Sequence, residues 1–366
     1  MTEQKLNFLS WNVRGLNDPH RRATVHETIA STTCHIVCLQ ESKLEDVDQF
    51  VASFLGGNRL RSFAQRPAVG TRGGGILMLW DDNVVDISDI QVSEFCLSVT
   101  VKMLFFDTSF RLTSVYGPTA SNRKDDFFNE LITQKPPPGT KWIAMGDFNQ
   151  ISRARDKNNR NVNRSRINRF RDAIDSCELR EIHLQNRRFT WSNERQNPTL
   201  CKLDSVFCNA DWDLHFGSHV LHAISSSLSD HCPLLLTDDR GPKRPRSFEF
   251  ENFWTCLPAF RDIVLRAWTD PCHHAEPCQR LFFKLKHTGW LLSKWSRGIF
   301  SKAKLHLHAA LFIILQLDTA QESRTLSMAE RELRGRLKPR WRGLGRSSVR
   351  ALQISGRATP IPDSSI

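Results

Sequence analysis

One apolar run that ends in closely spaced polar residues constrains this chain more than any other stretch. Residues 142–145, Trp-Ile-Ala-Met, predict a buried strand that Gly146 ends. Asp147 and Asn149 follow, and their spacing puts both side chains on one face of an extended backbone. A turn is the alternative interpretation, because Gly, Asp and Asn are residues that turns prefer. The carboxylate suits a base or a metal ligand, and the amide can donate to a phosphate oxygen.

Other predicted strands carry the same kind of chemistry at their ends. Apolar or alternating runs predict strands over residues 6–11, 36–39, 110–115, 142–145, 202–207 and 234–236. The polar residues at or near the ends of these strands are Asn12, Glu41, Tyr116, Asp147, Asn149, Asp204, Asp230 and His231. Because ligand sites in α/β proteins form where strand ends converge, we expect these residues to meet in one site.

The residue types favour a hard divalent cation in that site. Glu41 and Asp230 offer carboxylate oxygens, and Asn12 adds an amide oxygen. Such ligands suit Mg²⁺, or Mn²⁺, better than zinc. Because Mg²⁺ keeps several waters, one or two protein carboxylates and a substrate phosphate would complete its coordination.

The remaining polar residues suit phosphodiester cleavage. His231 is expected to face the scissile phosphate, with Asp204 at its other ring nitrogen to fix the tautomer and raise basicity. Asp147 would orient or deprotonate the attacking water, and Asn149 would hold a non-bridging oxygen. Cleavage of a phosphodiester needs these functions together, since charge builds on the phosphoryl oxygens.

Helices are predicted between several of these strands. One helix is expected over residues 19–32 and another over 124–134, with Ser121 as its cap. The second helix should turn four apolar side chains inward, namely Phe127, Phe128, Leu131 and Ile132.

Basic residues are dense in the segment 153–171, directly after the Gly-Asp-x-Asn stretch. The first of them are Arg153, Arg155, Lys157 and Arg160. Two interpretations carry equal weight: a solvated loop that runs into a helix, or a flap that contacts nucleic-acid phosphates beside the site.

The net charge of +12 lies entirely in the last third of the chain. Residues 1–240 contain 29 basic and 29 acidic residues, whereas residues 241–366 contain 22 and 10. This division predicts a catalytic domain over 1–238, a linker over 239–247, a basic helical extension over 248–340 and a disordered tail over 341–366. The basic extension would bind polyanion, RNA included; a merely soluble tail is the alternative.

The compartment is expected to be intracellular and nuclear. The N-terminal residues lack a signal-peptide pattern, and no apolar run is long enough to cross a bilayer, so a membrane partner is not expected. Ten cysteines in 366 residues are too sparse for a secreted disulfide scaffold. Nothing in the sequence indicates the oligomeric state.

Six ordered motifs resemble those of the endonuclease/exonuclease/phosphatase superfamily, which includes DNase I-like and apurinic endonuclease-like enzymes. They are Ser-Trp-Asn-Val-Arg-Gly-Leu at 10–16, Leu-Gln-Glu-Ser-Lys at 39–43, Val-Tyr-Gly-Pro at 115–118, Gly-Asp-Phe-Asn at 146–149, Leu-Asp at 203–204 and Ser-Asp-His-Cys-Pro-Leu at 229–234. Within the superfamily the chain looks most like the endonuclease domain of plant LINE-type (non-LTR) retrotransposons, truncated before the reverse transcriptase.

The resemblance implies an α/β fold, a four-layer sandwich of two mixed β-sheets flanked by helices. It implies a Mg²⁺-dependent endonuclease that nicks DNA and leaves a 3′-hydroxyl. Asn12, Glu41 and Asp230 would take metal-site roles, with Asp230 alternatively orienting. Tyr116 would join Asn149 in supporting the transition state.

Two residues depart from the pattern of the superfamily. Arg14 stands where apurinic enzymes tend to have an acid, which argues against a second metal contact there. Ser205 stands where the retroelement group often has Arg. Two other functions remain open: a catalytically inactive nucleic-acid binder, and a phosphatase of the same fold that acts on another phosphoester.

Overall fold

The computed structural model describes residues 6–69, 74–238, 254–255, 259–272 and 276–338, without the side chains of 297–308. The predicted linker over 239–247 and the predicted tail over 341–366 both lie outside the described residues.

The first two thirds of the chain contain all of the described strands and five of the described helices. The strands are β1 Phe8–Asn12, β2 Ile36–Gln40, β3 Ser62–Arg66, β4 Ile76–Trp80, β5 Val85–Val92, β6 Cys96–Met103, β7 Ser109–Tyr116, β8 Trp142–Asp147, β9 Arg180–Glu181, β10 Trp191–Ser192, β11 Leu200–Cys201, β12 Asp204–Cys208, β13 His219–Ala223 and β14 Leu234–Asp238. The helices are α1 Pro19–Ser31, α2 Gln49–Gly56, α3 Lys124–Thr133, α4 Arg164–Ser176, α5 Ala210–Phe216, α6 Phe260–Thr269 and α7 Pro277–Ser323.

Twelve of these strands form two mixed six-stranded sheets. One sheet has the order β13-β14-β1-β2-β4-β3, and the other has the order β5-β6-β7-β8-β12-β9. Each sheet contains one parallel pair, β1 with β2 and β7 with β8, among antiparallel neighbours. The short strands β10 and β11 pair separately.

The core is divided among three apolar layers, which confirms the predicted four-layer sandwich. Side chains of both sheets, such as Phe8 and Met145, form one buried cluster between them. A second cluster packs the opposite face of β1 and β2, including Trp11, against α1 and α2. A third packs the outer face of β8, including Trp142, against α3 and α4.

The alternation of side chains along the strands places the site. Phe8 of β1 and Met145 of β8 face the inter-sheet layer, so Asn12 and Asp147, at even spacing from them, face the same side. Asp147 is opposite Tyr116 on β7 and opposite Asp204 on β12. These strand ends therefore deliver their polar side chains to one end of the space between the sheets.

The helix over 19–32 is confirmed, but part of the prediction for the helix over 124–134 is wrong. Ser121 does not cap it, because residues 121–123 form a 3₁₀ turn and α3 begins without a side-chain cap. Phe127, Phe128 and Leu131 are buried as expected, whereas Ile132 is 38% exposed, since it lies at the rim of the buried face.

The extension is helical where it is described, in α6, in α7 and over residues 328–338. By its contacts the chain divides into two compact units. The first contains Met1–Gly241 together with Leu315–Ser327, and the second contains Pro242–Ile314 and Met328–Ile366. Among the described residues no helix is long and apolar enough to cross a membrane.

Gly146 is the position where the backbone next to the site leaves no room for a side chain. Its φ is +148°, and a Cβ there would lie 2.0 Å from the carbonyl oxygen of Val115 on the parallel strand. We expect Gly146→Ala to lower the free energy of unfolding by about 3 kcal/mol or more, because the pairing of β7 with β8 must shift.

Chemical denaturation of the full chain measures this effect. Gly139→Ala is the matched control, because Gly139 also has a positive φ (+81°) but no atom within 4 Å of an added Cβ. The control should cost only about 1 kcal/mol. Equal effects of the two substitutions would mean that the close approach at Gly146 is unimportant.

Candidate active site

Three buried side chains form the centre of the site. Nδ1 of His231 lies 2.8 Å from Oδ2 of Asp204, and Nε2 lies 3.8 Å from Oδ2 of Asp147. The side chains of Asp147, Asp204 and His231 are 1%, 3% and 5% exposed. The predicted pairing of Asp204 with His231 is thus present in the structure, and the imidazole bridges two carboxylates.

Backbone and hydroxyl contacts hold His231 in place. Its amide donates to Oγ of Ser229, and that hydroxyl donates to the carbonyl of Asn12 at the end of β1. The indole Nε1 of Trp11 donates to the carbonyl of His231. The loop before β14 is therefore tied to β1, which carries Asn12 into the same site.

Asp147 is surrounded by amide donors. Nδ2 of Asn12 lies 2.8 Å from its Oδ2, and Nδ2 of Asn149 lies 3.1 Å from the same oxygen. The backbone amide of Asn149 donates to Oδ1 of Asp147 at 2.8 Å. Asn149 has a φ of +49°, a left-handed conformation that asparagine tolerates better than most residues, so the alternative of a turn is also partly realised.

Glu41 joins this network from the end of β2. Nδ2 of Asn12 lies 3.2 Å from Oε2 of Glu41, so one amide bridges Glu41 and Asp147. The oxygen of the Asn12 amide accepts the backbone N–H of Arg14. Asn12 thus presents its nitrogen, rather than the oxygen expected of a metal ligand, to the two carboxylates.

Two cations neutralise the acids at the mouth of the site. Nζ of Lys43 lies 3.0 Å from Oε1 of Glu41. The guanidinium of Arg14 contacts Asp230 through Nη1 and lies 4.0 Å from Glu41 through Nε. The departure noted at Arg14 therefore places a cation where an acid was expected, directly between two candidate metal ligands.

Tyr116 lies beside this network at the end of β7. Burial and the nearby carboxylates of Glu41 and Asp147 raise the pKa of the Tyr116 phenol above its ordinary value. Tyr116 is therefore a neutral hydrogen-bond donor throughout the physiological range, in keeping with the role expected for it.

Two further residues at the site were missed by sequence reasoning. Nε1 of Trp191 lies 2.9 Å from Oδ2 of Asp230, and the Trp191 ring lies beside that of His231. Lys124 is 2% exposed and donates from Nζ to the carbonyl of Asn149 at 2.6 Å. Trp191 lies in the short run Phe189-Thr-Trp191, whose aromatic residues alone predict only a strand. A lysine at the start of a helix carries no signal of burial.

The basic segment 153–160 follows Asn149 as a loop with one short 3₁₀ turn. Arg153, Arg155 and Arg160 are exposed, whereas Lys157 is half-buried and donates to the carbonyl of Asn161. Backbone hydrogen bonds tie the loop to residues 200–202 next to β12. The later part of the segment forms α4, with Phe170, Ala173 and Ile174 buried as the helix interpretation predicted.

Residues 9–231 match the description "Endonuclease/Exonuclease/phosphatase family". This chain belongs to that family. The match includes all of the residues that form the site, from Asn12 to His231. The resemblance inferred from the six motifs is confirmed at this level.

Solved structures that are similar to this chain include two endonucleases. An apurinic endonuclease from Leishmania major is 17% identical, with a TM-score of 0.51 over 66% of this chain and 90% of the other. The endonuclease domain of TRAS1, a telomere-specific non-LTR retrotransposon, is 14% identical, with a TM-score of 0.49 over 65% of this chain and all of the other. No protein of curated function matches the sequence.

The family site has the donors for a hard cation. Within the described residues, Oδ1 of Asp230 is buried and has no hydrogen-bond partner. Ligand atoms of Asp147, Asp204 and His231 also lie within 4.8 Å of one another. Glu41 and Asp230 both contact the Arg14 side chain, and Lys43 also contacts Glu41, so these two acids offer carboxylate oxygens, the donors that a hard divalent cation prefers, at the mouth of the site.

Charge coupling sets the protonation of the buried centre. Burial alone would lower the pKa of His231, but attraction to Asp204 and Asp147 and the hydrogen bond to Asp204 raise it to about 9. Burial raises the pKa of Asp147, and Asp204 adds to this effect, while His231 and the amide donors oppose it. These contacts with Asp204 and Asp147 favour the protonated form of the imidazole.

We expect NMR titration of the metal-free chain to give a pKa for His231 well above its ordinary value of 6.5. Asp204→Asn should lower the pKa of His231 sharply, because the nearest negative charge is lost. Since the folded pKa is the higher one, the stabilisation by this pair is fully present below pH 6.5 and is lost as the pH rises through about 9.

Asp213→Asn, at an exposed position on α5, is the control and should leave the pKa of His231 unchanged. A value at or below 6.5 in the wild-type chain would show that burial, and not Asp204, dominates at His231.

Proposed function

We propose that this chain is a divalent-metal-dependent DNA endonuclease that nicks one strand and leaves a 3′-hydroxyl. The observation that carries the proposal is the buried network that joins Asp147, Asp204 and His231 to Asn12 and Asn149. Family membership supports hydrolysis of a phosphoester, and the network supplies the groups that such a reaction needs.

Asp147 is the group that would align the attacking water. Amide donors from Asn12 and Asn149 fix its carboxylate, so its free lone pairs point in a set direction. Its raised pKa makes it a competent proton acceptor near neutral pH.

His231 would face the phosphoryl group with its Nε2. Asp204 fixes the ring through Nδ1 and keeps it protonated, so Nε2 carries a proton that can stabilise a phosphoryl oxygen or pass to the leaving oxygen. Tyr116 would donate to a remaining phosphoryl oxygen, since its phenol is an uncharged donor at the same strand ends. The side-chain amide of Asn149 donates to the carbonyl of Gly117 and to Asp147 in the structure, so it would exchange one of these acceptors for a phosphoryl oxygen when substrate binds.

Glu41 and Asp230 would hold Mg²⁺ or Mn²⁺ in this proposal. The cation, when bound, would polarise a phosphoryl oxygen and stabilise the charge that develops on it. Arg14 and Lys43 would then be released from the acids and become free to contact substrate phosphates.

The exposed arginines after Asn149 favour nucleic acid over a small phosphoester as substrate. Arg153, Arg155 and Arg160 project from a loop that is anchored next to the site. A retrotransposon origin, RNA binding by the extension and a nuclear location belong to the same proposal. They rest on the sequence resemblance and on the charge of residues 241–366.

Plasmid nicking tests the activity. With Mg²⁺ the full chain should convert supercoiled plasmid to the open circle, and EDTA should abolish the conversion. His231→Ala should lower the rate by about a hundredfold or more, because the proton donor at the phosphate is lost.

His222→Ala is the matched control, since His222 is a half-buried histidine on β13 away from the network, and its rate should stay unchanged. Extension of the nicked product by a DNA polymerase would establish the 3′-hydroxyl. A folded, metal-loaded chain that nicks no DNA but hydrolyses a soluble phosphomonoester would replace the nuclease with the phosphatase alternative. Salt-sensitive DNA binding without any hydrolysis would favour the inactive binder.

Salt-dependent binding tests the role of the arginine loop. Arg153→Ala with Arg155→Ala should reduce the slope of log affinity against log salt by about 2, because each phosphate contact contributes about 0.9. Arg61→Ala with Lys102→Ala is the control. Arg61 directly precedes β3 and Lys102 lies near the end of β6, both at the ends of their strands that are far from the site. Equal slopes in the two double variants would mean that the loop is merely solvated.

A further inference from the structure

A buried arginine lies between the catalytic motifs and the extension. The side chain of Arg187, in the segment before β10, is only 9% exposed. Its Nη1 lies 3.4 Å from Oδ2 of Asp318, and its Nε lies 3.4 Å from Oε1 of Glu322. Both acids belong to α7, four residues apart on one helical face, and are 9% and 7% exposed.

Glu322 also holds the backbone of the same segment. Its Oε2 accepts the amide N–H of Arg188 at 2.9 Å, and its Oε1 accepts that of Phe189 at 3.2 Å. One carboxylate thus fixes two successive amides and a guanidinium. Because Glu322 accepts two backbone amides and also pairs with the guanidinium, it fixes the conformation of residues 187–189 on the helix.

The segment passes directly from Glu322 into the active site. Oγ1 of Thr190 accepts the amides of Leu203 and Asp204, each at 3.0 Å. The carbonyl of Thr190 accepts the amide of Cys232, next to His231. Thr190 therefore holds the backbone at Asp204 and the backbone next to His231.

The contacting helical turns belong to the same compact unit as the catalytic domain. Leu315–Ser327 is grouped with Met1–Gly241, although the 73 residues of 242–314 separate them in sequence. Leu317 and Leu326 of this stretch are buried as well. The ion pairs are therefore contacts inside the first unit.

We propose that the last turns of α7 are a positioning element of the active site, which act through Glu322 on residues 188–190 and through Thr190 on Asp204. The inference rests on the proposed function, since it assigns a role in that reaction. Arg187 cannot be left buried without its acids, so the helix and the segment are coupled strongly. The catalytic unit then needs residues far beyond the last sequence motif.

Hydrogen exchange and nicking kinetics of the full chain test this inference. Glu322→Ala should speed exchange of the Arg188 and Phe189 amides and also of the Leu203 and Asp204 amides, each by about tenfold or more. The same variant should lower kcat by about tenfold while KM changes less than about twofold, since Glu322 would not touch DNA. Glu322→Gln keeps one acceptor oxygen and should fall between Ala and wild type.

Glu332→Ala is the matched control, because Glu332 is an exposed acid whose partner Arg336 lies on the same helical stretch. It should change neither exchange nor kcat. If Glu322→Ala does not fold, the double variant Arg187→Met with Glu322→Gln replaces it. Coupling predicts that this double variant loses less activity than the product of the two single losses.

Faster exchange at Arg188 and Phe189 without change at Leu203, Asp204 and kcat would overturn the inference. If the wild-type chain has no nicking activity, the proposed function fails, and exchange alone decides the coupling. In that case acceleration at Leu203 and Asp204 supports the positioning role of the helix, and its absence overturns it.

Discussion

The site depends on one buried arrangement, the imidazole of His231 between the carboxyl groups of Asp147 and Asp204. Asp147 and Asp204 are almost without solvent, and a pair of unpaired carboxylates would not be tolerated in that position. His231 supplies the compensating charge, and amides from Asn12 and Asn149 satisfy the remaining oxygens of Asp147. The geometry of the site follows from the need to satisfy each of these groups. The contacts that satisfy the buried polar groups are therefore the same contacts that the proposed reaction needs.

The two sheets supply the rigidity that this arrangement requires. Asp147 and Asp204 are direct neighbours in register on β8 and β12, so strand pairing alone sets the distance between the acids. Behind them, Gln40 donates to hydroxyls of Ser10 and Ser114, which joins the sheets below the site. Gly146 permits the close approach of β7 that brings Tyr116 beside Asp147. Backbone pairing thus places most of the polar groups at the same ends of the two sheets, independently of the contacts between their side chains.

Because strand pairing positions the polar groups, the parts of the site that lie on strands were predictable from the sequence. Asn12, Asp147 and Asp204 lie at strand ends whose alternation is visible along the chain, so convergence could be inferred and is present. The burial of Lys124 could not be inferred, because it depends on how α3 packs against the turn at Asn149. The direction of the Asn12 amide was also beyond sequence reasoning, since it is decided by the backbone N–H of Arg14. The contact of Glu322 with residues 188 and 189 joins positions more than 130 apart, and no local pattern encodes it.

The overall neutrality of residues 1–240 conceals two different uses of charge. Inside the site, three pairs join groups of opposite sign: His231 with Asp204, Lys43 with Glu41, and Arg14 with Asp230. These pairs are partly or wholly desolvated, so they fix orientation and respond weakly to salt. The arginines of the 153–160 loop are exposed instead, and an exposed cation can release counterions from a polyanion. Under the proposed function, the geometry of the site and its affinity for nucleic acid would therefore depend on different residues, and either property would change without the other.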